Sequence, residues 1–186
     1  LGWEGREGVS DVSNQFHYYR LTTDNRVLWG GYDAVYRFNN AVGSEYDQAG
    51  DTHQTLAAHF FETFPQLEDV RFSHRWGGPI ATTTQFTATW GTSHDGDLAW
   101  VGGYTGLGVA ATRFGARVAL DLLDGQITEF TELEMARSKP MPFPPEPFRY
   151  AGIQLTRRAI ARSDANGGRR GAWLKVLDHF GVGFDS

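Results

Sequence analysis

The sequence predicts an α+β fold whose sheet is antiparallel, and three observations carry that expectation. Two aromatic and β-branched runs in residues 16–38 flank the polar stretch Thr22-Thr23-Asp24-Asn25-Arg26, which is hairpin chemistry. A short apolar run, Leu98-Ala99-Trp100-Val101, passes through a glycine loop into a helical pattern over 107–123. The last third changes character, to a proline-rich connector from 138 followed by two amphipathic stretches at 150–163 and 170–180.

Composition narrows the classes first. The chain has 186 residues with 40% hydrophobic, 14% aromatic and 21% charged residues, which excludes disorder and coiled coil. No apolar stretch approaches the roughly 18–20 residues of a membrane helix, so no membrane partner is expected. A net charge of -5 argues against nucleic acid, because neutralising phosphates takes clustered Lys and Arg. With no Cys there is no disulfide, thiolate metal site or thiol nucleophile, and a cytoplasmic location is the expectation. The 23 glycines, many in WGG or GG pairs, imply close backbone approaches.

Along the chain, the spacing predicts strand, turn and strand over 16–38. Asp51-Thr52-His53-Gln54 reads as a capping box with Asp51 at the N-cap and Gln54 at N3. A helix over 52–64 follows, striped by Leu56, Phe60, Phe61 and Phe64 and stopped by Pro65. Residues 70–91 are rich in strand formers around the Gly77-Gly78-Pro79 turn, which predicts further sheet. In the helix over 107–123, Arg113, Arg117, Asp121 and Asp124 form one thin polar stripe and the remainder is expected to be buried. Beyond residue 150 six basic residues face three acids; solvated helix faces explain them first, and an acidic partner surface second.

Two motifs stand out. Gly106-Leu107-Gly108-Val109-Ala110-Ala111 matches the dinucleotide pattern G-x-G-x-x-G/A after a strand and at a helix start. No second buried strand follows it, so a free-standing nucleotide domain is disfavoured. Close strand–helix packing, or a helix N-terminus aimed at an electron-rich ligand, both account for it. Trp76-Gly77-Gly78-Pro79 and Trp29-Gly30-Gly31-Tyr32 each set an indole beside two glycines, with Tyr36 following the second. On neighbouring strands they would wall an aromatic pocket; singly, each is a core tryptophan before a turn. There is no HExxH, no GxSxG and no convincing carboxylate pair, so no metal is expected and no catalytic side chain is assigned.

HRWGGPIATT, followed by LAWVGGYTGLGVAATRFGARVALDLL, resembles the C-terminal part of FAD-dependent oxidoreductases of the D-amino-acid-oxidase-like family, over roughly residues 15–125. That group includes glycine, sarcosine and γ-glutamylputrescine oxidases, and the Thr-rich stretch with GGYTGLGV looks closest to the last branch. The resemblance implies a C-terminal fragment: a substrate-side antiparallel sheet region over 1–97, the closing strand and helix of the FAD domain over 98–125, and a tether with two helices over 126–186. It implies FAD as the cofactor of the full-length protein, approached by Gly102, Gly103, Tyr104, Thr105, Gly106, Leu107, Gly108 and Val109. It further implies a substrate pocket drawing on Trp29, Tyr32, Trp76, Gly77, Gly78 and Ile80. A small amine substrate is expected, with a missing N-terminal FAD-binding region as the partner that the fragment, inactive and unable to retain FAD alone, would need.

Two departures bear on substrate. Amino-acid-oxidising relatives resembling glycine oxidase place a carboxylate-binding Arg where this chain has Ile80, and an apolar side chain cannot make that bidentate pair. Many relatives also carry His where Leu107 stands. An amine or polyamine-type substrate is therefore favoured. The alternative is a binding module without redox chemistry, holding a sugar or hydrophobic ligand on an aromatic-lined sheet.

Overall fold

A computed structural model describes residues 2–31, 34–48, 50–180 and 182. The architecture is α+β, as expected, with two small antiparallel sheets and helices. Chain contacts divide it into two compact units, one of residues 1–78 with 146–175 and one of residues 79–145 with 176–186. The division falls inside the Trp76-Gly77-Gly78-Pro79 motif and at the end of the proline-rich connector, along different lines from the three segments set out above.

In the first unit, β1 (Val9–Ser10), β2 (His17–Leu21) and β3 (Val27–Gly31) form an antiparallel sheet in that order. Thr22 closes the expected turn: its hydroxyl accepts the Arg26 N–H at 3.0 Å, and Asn25 takes a positive φ of 61°. Alternation along β2 half-buries His17, Tyr19 and Leu21 and exposes Tyr18 and Arg20. In register, Tyr18 faces Gly30, where any Cβ would meet the tyrosine ring at 2.8 Å. The Gly in that WGG motif is thus a seat for a cross-strand aromatic ring.

The short helix α1 (Ser44–Asp47) precedes α2 (Gly50–Thr63). The capping-box expectation is corrected here: the helix begins at Gly50, so Asp51 lies inside its first turn and its carbonyl accepts the Thr55 hydroxyl. Phe60, 2% exposed, packs its ring against Trp29, Phe61, Phe64 and Phe72 at centroid distances of 5.2–5.7 Å. The stripe read from sequence is this core. Later in the chain, α5 (Phe148–Ala165) and the start of α6 (Ala172–His179) join the same unit, burying Ile160 and Leu174, with the Trp173 indole N–H on the Thr156 hydroxyl at 3.0 Å.

The second unit is built on the hairpin of β4 (Thr89–Ser93) and β5 (Leu98–Gly102), covered by α3 (Gly108–Leu123). Trp90, 1% exposed, sits at its centre with Ala88, Val118 and Ala136. Its indole N–H donates to the Gly115 carbonyl at 3.0 Å, so the ring's one polar atom is satisfied in the core. The short α4 (Glu134–Arg137) brings in Ala136, and Lys139 donates to the Trp90 carbonyl at 2.5 Å.

Two further expectations change. Residues 70–88 do not form a ladder; only Thr82 bridges, to Tyr104, and the regular strand starts at Thr89. The threonines there spend their hydroxyls on backbone instead, Thr83 on the Thr87 carbonyl at 2.8 Å and Thr84 on the Met141 carbonyl at 2.7 Å. On α3 the stripe is wet at Arg113, Arg117 and Asp124 but not at Asp121, which is 6% exposed and accepts from Arg117 at 3.1 Å and from the Thr128 hydroxyl at 2.8 Å; nor is the rest of the helix all buried, since Val109 and Leu120 are exposed.

Candidate functional site

The loop between β5 and α3 is positioned from both ends. Gly102 closes the β5 ladder opposite Thr89, and the Thr105 N–H donates to the Ala81 carbonyl at 3.0 Å beside the Thr82–Tyr104 bridge. Gly103 and Gly106 take φ of 74° and 83°, where a side chain is strained, and they let the chain turn sharply into the helix. A Cβ on Gly103 would run into the Thr83 methyl group. The Tyr104 ring folds back along α3: a Cβ at Gly108 would stand 3.6 Å from it, and one at Gly115 would strike its hydroxyl. Gly115 therefore gives the Tyr104 ring room, whereas a side chain at Gly108 would meet it only at ordinary contact distance.

At the helix start, Leu107 occupies the N-cap position without a side-chain cap, leaving the first-turn N–H groups to find an acceptor elsewhere. Around that turn stand exposed apolar side chains, Leu107 (65%), Val109 (99%) and Ile80 (61%). Ile80 is brought to the loop itself, its Cδ1 3.6 Å from where a Cβ on Gly106 would be. An uncapped helix N-terminus with an apolar rim suits the carbonyl edge of a planar ring system such as a flavin, and suits a hydrated ion poorly.

Trp29, Trp76, Gly77 and Gly78, which the sequence suggested for a pocket, belong to the first unit. Trp29 stacks on the His17 ring at 4.8 Å and touches Tyr19, Phe60 and Phe64, while its indole N–H donates to the Leu56 carbonyl at 3.0 Å. It is a packed residue of the hairpin. Trp76 lies off any strand and is 66% exposed; Gly77 passes close to the Asp47 carbonyl, and Gly78 is open. The two WGG motifs therefore do not lie on neighbouring strands. Tyr32 lies outside the described residues.

Sequence reasoning passed over the polar group behind Trp29. Asp11 accepts the Ser13 N–H, the His17 N–H and the His17 Nδ1 at 3.0, 3.1 and 2.6 Å, and His17 Nε2 lies 3.0 Å from His59 Nδ1. Partial burial pushes the Asp11 carboxyl up, but the His17 and backbone hydrogen bonds outweigh it and hold it below its ordinary value. The available signal was an Asp six residues ahead of a His within an aromatic strand. Among the described residues, no group of three His, Cys, Asp or Glu side chains is placed to hold a metal, and no helix is long and apolar enough to cross a membrane.

Comparison with known proteins agrees on one family. The model described as DAO, FAD dependent oxidoreductase, matches residues 2–122. The chain is 32% identical over 134 residues to the gamma-glutamylputrescine oxidoreductase of Escherichia coli (strain K12), covering 72% of this chain and 29% of that protein. It is 31% identical over 117 residues to the probable oxidoreductase OrdL of Haemophilus influenzae, covering 63% and 24% respectively. A second probable oxidoreductase OrdL, from Rhizobium meliloti, is 27% identical over 138 residues, covering 74% and 30%. The chain thus spans less than a third of the length of the curated relatives it matches. No solved structure matches.

Proposed function

Because the chain belongs to the DAO family of FAD dependent oxidoreductases, with FAD as the cofactor of the full-length protein, we propose that it forms part of an amine oxidase acting on an amine or polyamine-type substrate. Bound FAD supplies the hydride acceptor for the carbon bearing the substrate amine, and its reoxidation by oxygen gives hydrogen peroxide. The residues of this chain orient and stabilise. The loop Gly102–Leu107 and the first turn of α3, through Gly108 and Val109, would hold the ring's electron-rich edge, where the helix N-terminus carries roughly half a positive charge. The exposed Trp76 indole beside Gly77 and Gly78 offers a flat face for an alkylammonium group.

The observation that carries the substrate class is Ile80 beside Gly106. An exposed apolar side chain at this place offers a substrate carboxylate no bidentate partner, so an amine without an adjacent carboxylate is the better occupant. The face is open rather than enclosed, and this segment alone is expected to hold FAD weakly and not to turn over.

The test is peroxide release by the full-length flavoprotein. Putrescine and its γ-glutamyl derivative are expected to be oxidised in preference to glycine and sarcosine, and preference for the amino acids would refute the assignment. In the same assay Trp76→Ala should lower kcat/KM for the amine about tenfold with folding retained. Unchanged kinetics would remove Trp76 from the pocket.

A further inference from the structure

Within the first unit, residues 146–175 lie beyond the family match at 2–122, yet they grip the sheet at two places more than a hundred residues away in sequence. One grip is Asp164, whose Oδ1 accepts the Asn14 N–H at 3.0 Å and the Asn14 amide Nδ2 at 2.6 Å, and whose Oδ2 accepts the Gln15 N–H at 3.2 Å. A carboxylate in the last turn of α5 faces the negative end of the helix dipole, so its own helix does not explain it. The three long-range N–H donors do. The other grip is Glu146, whose Oε1 accepts the Tyr36 hydroxyl at 2.6 Å and the Asn39 N–H at 3.0 Å, while Oε2 caps α5 at the Tyr150 N–H. Gln154 adds a bond to the Tyr36 carbonyl at 3.2 Å, and the Tyr150 ring meets Phe38 edge-on.

The two grips bracket one hairpin. Asp164 holds the loop 11–16 that leads into β2, and Glu146 holds the segment 36–39 that follows β3. In the first loop Asp11 binds the His17 ring, and that ring stacks on Trp29. We propose that α5 is a strap and that Asp164 and Glu146 are positioning residues, fixing through Asn14-Gln15 and Tyr36 the hairpin on which Trp29 is packed, and that this hairpin faces the substrate in the full-length enzyme. The effect on substrate rests on the amine-oxidase reading; the strap itself does not.

Asp164→Asn and Glu146→Gln test this in the full-length holoenzyme, since each puts a donor where N–H donors converge. Hydrogen exchange of peptides covering 11–16 and 36–39 should quicken about tenfold, with 108–123 unchanged. Unchanged exchange, or exchange raised throughout, overturns the strap. The KM for the amine should rise about tenfold with kcat within about twofold, a split that mere loss of folded protein does not produce. Quickened exchange with an unchanged KM overturns the positioning role. Asn14→Ala, which removes one donor and leaves no clash, serves if Asp164→Asn fails to fold, and is expected to loosen 11–16 alone. Wild-type protein that oxidises no amine defeats the functional reading and leaves the exchange result standing on its own.

Discussion

Gly115 shows how residue-scale packing settles what a motif cannot. Its absent Cβ leaves room for the Tyr104 hydroxyl, and its carbonyl receives the buried Trp90 indole. Gly115→Ala should therefore destabilise the second unit by about 1–3 kcal/mol, the range for overfilling a packed site, as read by urea unfolding. Tyr104→Phe, which withdraws the offending oxygen, should recover part of that loss in the double variant; no coupling would show that the two do not meet. The glycines of G-x-G-x-x-A differ in the same way: Gly106 takes a positive φ that serves the backbone turn, while Gly108 has neither a positive φ nor a clash that a Cβ would cause. A pattern of glycines marks where the chain comes close to something, and only the folded structure shows to what.

Elements with a repeating apolar stripe were readable directly. The stripe Leu56, Phe60, Phe61, Phe64 located α2 to within two residues, and the aromatic runs around Thr22–Arg26 located β2 and β3, because each pattern has one burial solution. Residues 70–88 were not readable, since Thr83 and Thr84 have strand propensity but satisfy themselves on the Thr87 and Met141 carbonyls. Nor were the carboxylate anchors: Glu146 and Asp164 draw donors from residues more than a hundred positions away, Asp11 draws its own from Ser13 and His17, and none of them leaves a periodic trace. Asp11 makes a testable contribution at this scale. Its folded carboxyl lies below the ordinary 3.8, so its stabilisation is complete above that value and fades as pH falls through the depressed one. In urea unfolding followed against pH, Asp11→Asn should be less stable than wild type at neutral pH and should lose less further stability below about pH 4, giving a shallower acid limb. An identical limb would show that Asp11 does not titrate on unfolding.

Across the whole molecule, family membership came from the segment 98–111 and the WGGPIATT block, and the fold class from hairpins and helices; both hold. What sequence did not reveal is that the contact units divide at Gly78–Pro79, so that Trp76 and Ile80 belong to different ones. The same division groups α5 with the β2–β3 hairpin. A tether of prolines in the sequence thus precedes a strap in the fold, and that relation depends on tertiary hydrogen bonds alone.

The proposed function rests on Ile80 standing where a substrate carboxylate would otherwise be held. Anaerobic bleaching of the flavin in the full-length protein, timed with putrescine and with glycine for wild type and Ile80→Arg, tests it most directly. The account predicts faster bleaching by putrescine in the wild type and a shift toward glycine of about tenfold or more once the guanidinium is present. Glycine already favoured in the wild type, or a preference untouched by the arginine, would contradict it.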